Sequence, residues 1–157
     1  MLLVEDSEED ALLLLRELRR GGYEPLYERV QTPEAMEKAL ADSDWNVVAS
    51  DYRLPRFGAP EALELFRESG VEAPFVVVSG KVGEEEAVEV MKAGADDFLT
   101  KDNLARLCAT VERGLAETEE RQHAEEELRR RDAILDAVRF AAEHFLSPPI
   151  GWGENVR

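Results

Sequence analysis

The sequence predicts an α/β fold, a parallel five-stranded sheet covered by helices with a long helical extension behind it. Three observations carry this. Short apolar runs of strand length alternate with amphipathic helical patterns, as in successive βα units. Residues that start and stop helices fall between those runs. From Asn103 to about Leu146 there is no proline and one glycine, Gly114.

Leu2 to Val4 is the first buried strand, shortened by how little precedes it. Ser7 caps a helix running to about Arg20, with Ala11, Leu14, Leu15 and Leu18 at helical spacing and Gly21-Gly22 as its stop. Glu24 to Val30 is a poorer strand, and Pro25 marks it as an edge. Thr32-Pro33 is a cap followed by proline at the first helical position, opening a helix to Leu40. Val47 to Ser50 is the third strand. Ala59-Pro60 opens a helix that carries Leu63 and Phe66 to Gly70. Phe75 to Val78 is an unbroken run dominated by valine, as expected of a central strand buried on both faces. Glu84 to Ala93 is a helix with an acidic start, closed by Gly94, and Phe98-Leu99 makes a short fifth strand. The core domain spans residues 1–113.

A linker follows over 114–146. Arg121, Ala124, Leu128, Arg131, Leu135, Val138, Ala142 and Phe145 follow the 3,4 alternation of a coiled-coil seam, with arginine at two of the positions. Gly114 weakens the helix locally without ending it. A lone helix with a thin apolar stripe has nothing in this chain to bury it, so the expectation is a homodimer through this helix. Residues 147–157, with Pro148-Pro149 and Gly151-Trp152-Gly153, read as an irregular junction to a further domain; Trp152 and Val156 have no visible core.

The composition, 44% hydrophobic and 34% charged over 157 residues, is that of a globular domain. No apolar run is longer than the five residues Ala11–Leu15, so neither a membrane span nor a membrane contact is expected. A net charge of −16 argues against nucleic acid and anionic lipid, which reward Lys and Arg. Acidic residues arrive at Glu5 with no basic segment before them, unlike a signal peptide. A single cysteine, Cys108, excludes an internal disulfide and agrees with a cytoplasmic location. Cys108 is expected to be a small core-facing residue of the last core helix, and His123 to be solvent-exposed.

Four positions stand at or just past strand ends: Glu5-Asp6, Asp51, Ser79 and Lys101. The carboxyl ends of parallel strands converge on one crevice, where ligands bind. Three carboxylates there hold more negative charge than a structural site tolerates without a cation or proton. Oxygen ligands of this kind suit Mg²⁺. Asp51 can act as both ligand and nucleophile, since aspartyl-phosphate formation is a covalent strategy. Ser79 supplies a hydroxyl donor and Lys101 a point charge for phosphoryl oxygens.

Residues 1 to about 113 resemble the receiver domain of bacterial two-component response regulators. The matching stretches are Leu3-Val4-Glu5-Asp6-Ser7, Ser50-Asp51-Tyr52-Arg53-Leu54-Pro55, Val78-Ser79-Gly80, and Met91 through Lys101, which reads Lys92-Ala93-Gly94-Ala95-Asp96-Asp97-Phe98-Leu99-Thr100 before the lysine. The resemblance implies a flavodoxin-like, doubly wound sheet in the order 2-1-3-4-5. It implies that Asp51 takes a phosphoryl group from a histidine kinase or histidine phosphotransfer protein. Glu5, Asp6, Asp51 and the Arg53 backbone carbonyl would bind Mg²⁺, and Ser79 and Lys101 would contact the phosphoryl group. Phe98 falls at the aromatic switch position; it also reads as an ordinary core residue, and both can hold.

Two departures from the family pattern stand out. Asp102 follows Lys101 where the family usually has proline, so a cis peptide is not expected there. Arg53 and Lys81 lie two residues past Asp51 and Ser79, where two cations are expected to slow attack by water on an aspartyl phosphate or to favour anion binding. Arg53 also occupies the place where aspartyl-phosphate hydrolases carry a general acid, which disfavours a turnover phosphohydrolase. The resemblance leaves only self-catalysed phosphotransfer and autodephosphorylation. A phosphoryl shuttle or sink in a relay is the main alternative; the helical extension favours a switch. Ser79-Gly80-Lys81 is not a phosphate loop, because Phe75 and Val82 break the pattern. His144, five residues before Pro149, faintly echoes a kinase phosphoacceptor box but lacks the acidic residue after the histidine. No basic helix-turn-helix is present. The extension resembles linkers leading to a sensor domain such as GAF or PAS, or to a kinase or nucleotide cyclase.

Overall fold

Every strand of this protein is short, and each is buried on both faces or ends at the same edge of one sheet. The computed structural model describes residues 1–81 and 83–145; the expected junction, with Pro148, Trp152 and Val156, lies outside the described residues. In chain order the elements are β1 (Leu2–Val4), α1 (Glu8–Arg20), β2 (Glu28–Val30), α2 (Pro33–Asp42), β3 (Val48–Asp51), α3 (Ala59–Ser69), β4 (Phe75–Ser79), α4 (Glu84–Ala93), β5 (Asp97–Thr100) and α5 (Leu107–Phe145). The strands form one parallel sheet in the order β2-β1-β3-β4-β5, the doubly wound flavodoxin-like arrangement.

Alternation along each strand divides the core in two. Leu2, Val4, Val48, Phe75 and Val77 face one side, with Met36 of α2, Leu63 of α3 and Val90 of α4. Leu3, Ala49, Val76, Val78 and Leu99 face the other, with Leu15 of α1 and with Leu107 and Val111 of α5. This two-sided burial is why the strands read as continuous apolar runs.

Local signals set most boundaries. Ser7 Oγ accepts from Asp10 N to start α1, and Thr32 Oγ1 accepts from Ala35 N to start α2, with Pro33 at the first helical position. Glu61 closes the start of α3 by accepting from Gly58 N at 2.9 Å. Gly70 and Gly94 end α3 and α4 in the left-handed conformation, at φ 72° and 112°.

Several boundaries differ from the sequence expectation by a residue or more, and three of them have a local cause. β2 begins at Glu28 rather than near Glu24, because β1 offers only three partners and Pro25 has no N–H. β3 extends through Asp51, which pairs with Val78, so the aspartate ends the strand instead of following it. α5 begins at Leu107, not Asn103: Asn103 N donates to Thr100 O and Leu107 N to Leu104 O, spending the intervening residues in turns. No peptide bond is cis among the described residues.

Gly114 is buried inside α5, and a β-carbon there would lie 2.4 Å from Pro74 Cβ. Alanine is the better helix former by about 1 kcal/mol. Overpacking against the proline ring costs about 1–3 kcal/mol, and the ring cannot rotate away. Gly114→Ala is therefore expected to destabilise the fold by about 1 kcal/mol, read as a lower urea midpoint at unchanged slope.

The chain divides into two units, Met1–Thr118 and Glu119–Arg157. In the second unit, every described residue is helical and exposed, including Leu128 at 58%, Leu135 at 60% and Val138 at 61%. Among the described residues, no helix is long and apolar enough to cross a membrane.

Candidate acidic site at the strand ends

The parallel register brings the ends of β1, β3, β4 and β5 to one edge of the sheet. Glu5 and Asp6 follow β1 there, Asp51 and Ser79 end β3 and β4, and Lys101 follows β5. One carboxylate oxygen each from Glu5, Asp6 and Asp51 lies within 4.8 Å of the others. The Lys101 ammonium sits 3.2 Å from Glu5 Oε2 and 3.3 Å from Asp51 Oδ1. Its shortest contact is one the sequence reading missed, Asp10 Oδ2 at 2.6 Å.

Glu5 is 1% exposed. Its Oε1 accepts from Ser7 N at 2.9 Å, but its Oε2 is buried with no hydrogen-bond partner beyond the ion pair with Lys101. Burial pushes the Glu5 carboxyl above its ordinary range, and the bond from Ser7 offsets only part of this. Burial also raises Asp51, with Lys101 pulling the other way. For Lys101, burial would lower the ammonium, but the Asp10 hydrogen bond and the charges of Glu5 and Asp51 outweigh it and hold it well above the ordinary lysine range. Four carboxylates against one ammonium leave the site negative. A buried carboxylate oxygen with no closer partner than the Lys101 ammonium at 3.2 Å, beside two further carboxylates, is the environment that an oxygen-liganded divalent cation fits. Arg29 of β2, also missed, steadies this turn: its Nη1 donates to Glu5 O at 3.1 Å and Asp6 O at 3.0 Å.

Ser79 shares a pocket with Asp51, Lys81 and Lys101. Its hydroxyl is turned to its own loop, donating to Lys81 O at 2.7 Å. Arg53 lines the same pocket, ion-paired to Glu86 of α4, with its guanidinium 5.9 Å from the Tyr52 ring centre. Phe98 is partly buried and packs edge-on to Tyr52, ring centres 6.2 Å apart and planes at 67°.

The other singled-out residues lie elsewhere. Cys108 packs partly buried against the α1–α5 core, with burial raising its thiol pKa. His123 is exposed, and His144 Nδ1 lies 2.9 Å from Phe140 O within its own helix.

Fold and site together define a doubly wound α/β domain with an acid crevice at the carboxyl edge of its sheet. The family model for the response regulator receiver domain matches residues 1–112. The chain belongs to that family, whose members are phosphoacceptor signalling domains of two-component systems, phosphorylated on an aspartate and served by histidine kinases or phosphotransfer proteins. They bind Mg²⁺ at an acidic pocket. The chain is similar to the chemotaxis protein CheY1 of Helicobacter pylori, 27% identical over 103 residues that cover 64% of this chain and 83% of that protein. It is similar in fold to a Burkholderia pseudomallei response regulator solved with a phosphorylated aspartic acid, a calcium ion and citrate. That match has a TM-score of 0.61 at 22% identity, covering 79% of this chain and 72% of that one. It is also similar in fold to the beryllofluoride-activated NtrC4 receiver domain dimer, with a TM-score of 0.64 at 24% identity over 74% and 96% of the two chains.

Proposed function

We propose that this chain is a phosphorylation-dependent switch that accepts a phosphoryl group on Asp51 from the phosphohistidine of a histidine kinase or histidine phosphotransfer protein. The observation that carries this reading is the meeting of the Glu5, Asp6 and Asp51 carboxylates with the Lys101 ammonium at one edge of the sheet. An Asp51 oxygen attacks phosphorus, the phosphorus–nitrogen bond breaks, and its electron pair returns to the imidazole. The product is an acyl phosphate.

Glu5, Asp6, Asp51 and the Arg53 backbone carbonyl would hold Mg²⁺, which when bound offsets the repulsion between carboxylate and phosphoryl oxygens. Lys101 neutralises a phosphoryl oxygen from the β5 side. Ser79 has to exchange its bond to Lys81 O for one to the phosphoryl group. That shift vacates space toward β5, and Phe98, partly buried and edge-on to Tyr52, turns into it.

The response leaves through α5, whose exposed apolar seam pairs with a second copy of this chain. A relay shuttle needs no such seam, which favours the switch. The test is uptake of a phosphoryl group from acetyl phosphate, read by intact mass: uptake in Mg²⁺ and none in EDTA is expected, and uptake independent of the metal would count against the site.

Arg53 and Lys81 both line the pocket. The Arg53→Ala, Lys81→Ala double variant is expected to lose its phosphoryl group several-fold faster, followed by mass after donor removal. An unchanged lifetime would exclude a shielding role for these cations.

A further inference from the structure

Asp10 occupies a place in its helix where an acid ordinarily does something else. It is the third residue of α1, behind the Ser7 cap. From there a carboxylate usually turns back to accept from the cap's backbone N–H. That N–H is already taken, because Ser7 N donates to Glu5 Oε1 at 2.9 Å. Asp10 instead reaches Lys101, 91 residues away, with Oδ2 at 2.6 Å from the ammonium. Glu5 and Asp51 stand farther off, at 3.2 and 3.3 Å. Of the three carboxylates around Lys101, only Asp10 makes a contact of charge-assisted length. It is also the only one outside the group of three that gathers around a common point.

We infer that Asp10 is a positioning residue for Lys101: it draws the ammonium to the α1 side, so that its hold on Glu5 Oε2 and Asp51 Oδ1 stays longer, at 3.2 and 3.3 Å, and a divalent cation can displace it there. This rests on the metal-assisted reading of the site given above. An ammonium and a cation compete for the same carboxylate oxygens. Lys101 lies 0.6 Å closer to Asp10 Oδ2 than to the buried Glu5 Oε2, so its charge is centred on the α1 side of the site. Lysine is a point charge on a flexible four-carbon stem, so without Asp10 it closes on Glu5 and Asp51 and takes the cation's place.

The test titrates Mg²⁺ into four forms of the full chain by calorimetry: unaltered, Asp10→Asn, Lys101→Met, and the two combined. Asp10→Asn is expected to weaken Mg²⁺ binding roughly three- to tenfold, toward the lower end of what coupled neighbours show. Lys101→Met is expected to strengthen it. In the Lys101→Met background, Asp10→Asn is expected to change little. An equal loss in both backgrounds would overturn the proposal, since it would show Asp10 acting through its own charge or through the start of α1. No loss in the unaltered background would overturn it as well. If the unaltered chain took up no Mg²⁺, the metal reading would fall, and this inference with it.

Discussion

Asp51→Asn is expected to abolish phosphoryl uptake from acetyl phosphate and, at the same time, to leave a more stable fold. The first effect is a complete loss of the mass gain, because an amide oxygen is not a competent nucleophile and Ser79, Glu5 and Asp6 offer no substitute. The second follows from electrostatics. Glu5 and Asp51 are both pushed up by burial, which means the fold disfavours their charged forms. A carboxyl with a folded pKa above its unfolded value binds protons more tightly when folded. Stability is then greatest in acid and falls as pH rises from the ordinary carboxylate range, about 4, through the raised folded values. Removing the Asp51 charge should flatten that fall and add about 1 kcal/mol at neutral pH, the usual gain when a functional site is relieved of strain. Urea midpoints at acid and neutral pH measure this. Equal stability of both chains at neutral pH would mean that Lys101 fully compensates the aspartate.

The second large effect concerns the exposed helix. The chain is expected to be dimeric by sedimentation equilibrium, and Arg131→Leu is expected to tighten the dimer by about tenfold or more. A charged residue at a seam position sets register at the expense of stability, so an apolar one there adds buried area and removes the desolvation of two guanidinium groups. Leu135→Glu should do the reverse and give monomers. Both positions are exposed in the single chain, so neither change should alter the fold of residues 1–118. A chain that stays monomeric at every concentration would sink the seam reading while leaving the phosphoacceptor site untouched.

Much of the architecture was legible because local signals coincide with apolar runs. Ser7, Thr32 and Gly94 act where they were read, and Phe75–Val78 is buried on both faces. Strand order was not legible from periodicity; it came with the family resemblance. The boundaries that moved were set by neighbours: β2 by the length of β1, and the start of α5 by the turn that Asn103 makes with Thr100. In the site, Glu5, Asp6, Asp51, Ser79 and Lys101 could be read because strand ends converge. Asp10, Arg29 and Glu86 could not. Their partners lie 91, 24 and 33 residues away, so no spacing rule links them. Gly114 was read only as a weak point in a helix, because nothing local announces that Pro74 presses against it.

One helix carries both a core-facing stripe and the proposed seam. Leu107 and Gly114 are buried in α5, and stepping on by sevens reaches Arg121, Leu128, Leu135 and Ala142 of the proposed seam. Only a seam wound at seven residues per two turns keeps these positions in phase, so the proposed coupling tolerates changes of length in quanta. Removing seven residues from its exposed stretch leaves the phase within about 20°. Removing five turns one stripe roughly 140° from the other. Relatives that keep this coupling should differ in linker length by whole heptads, whatever their linker sequences have become.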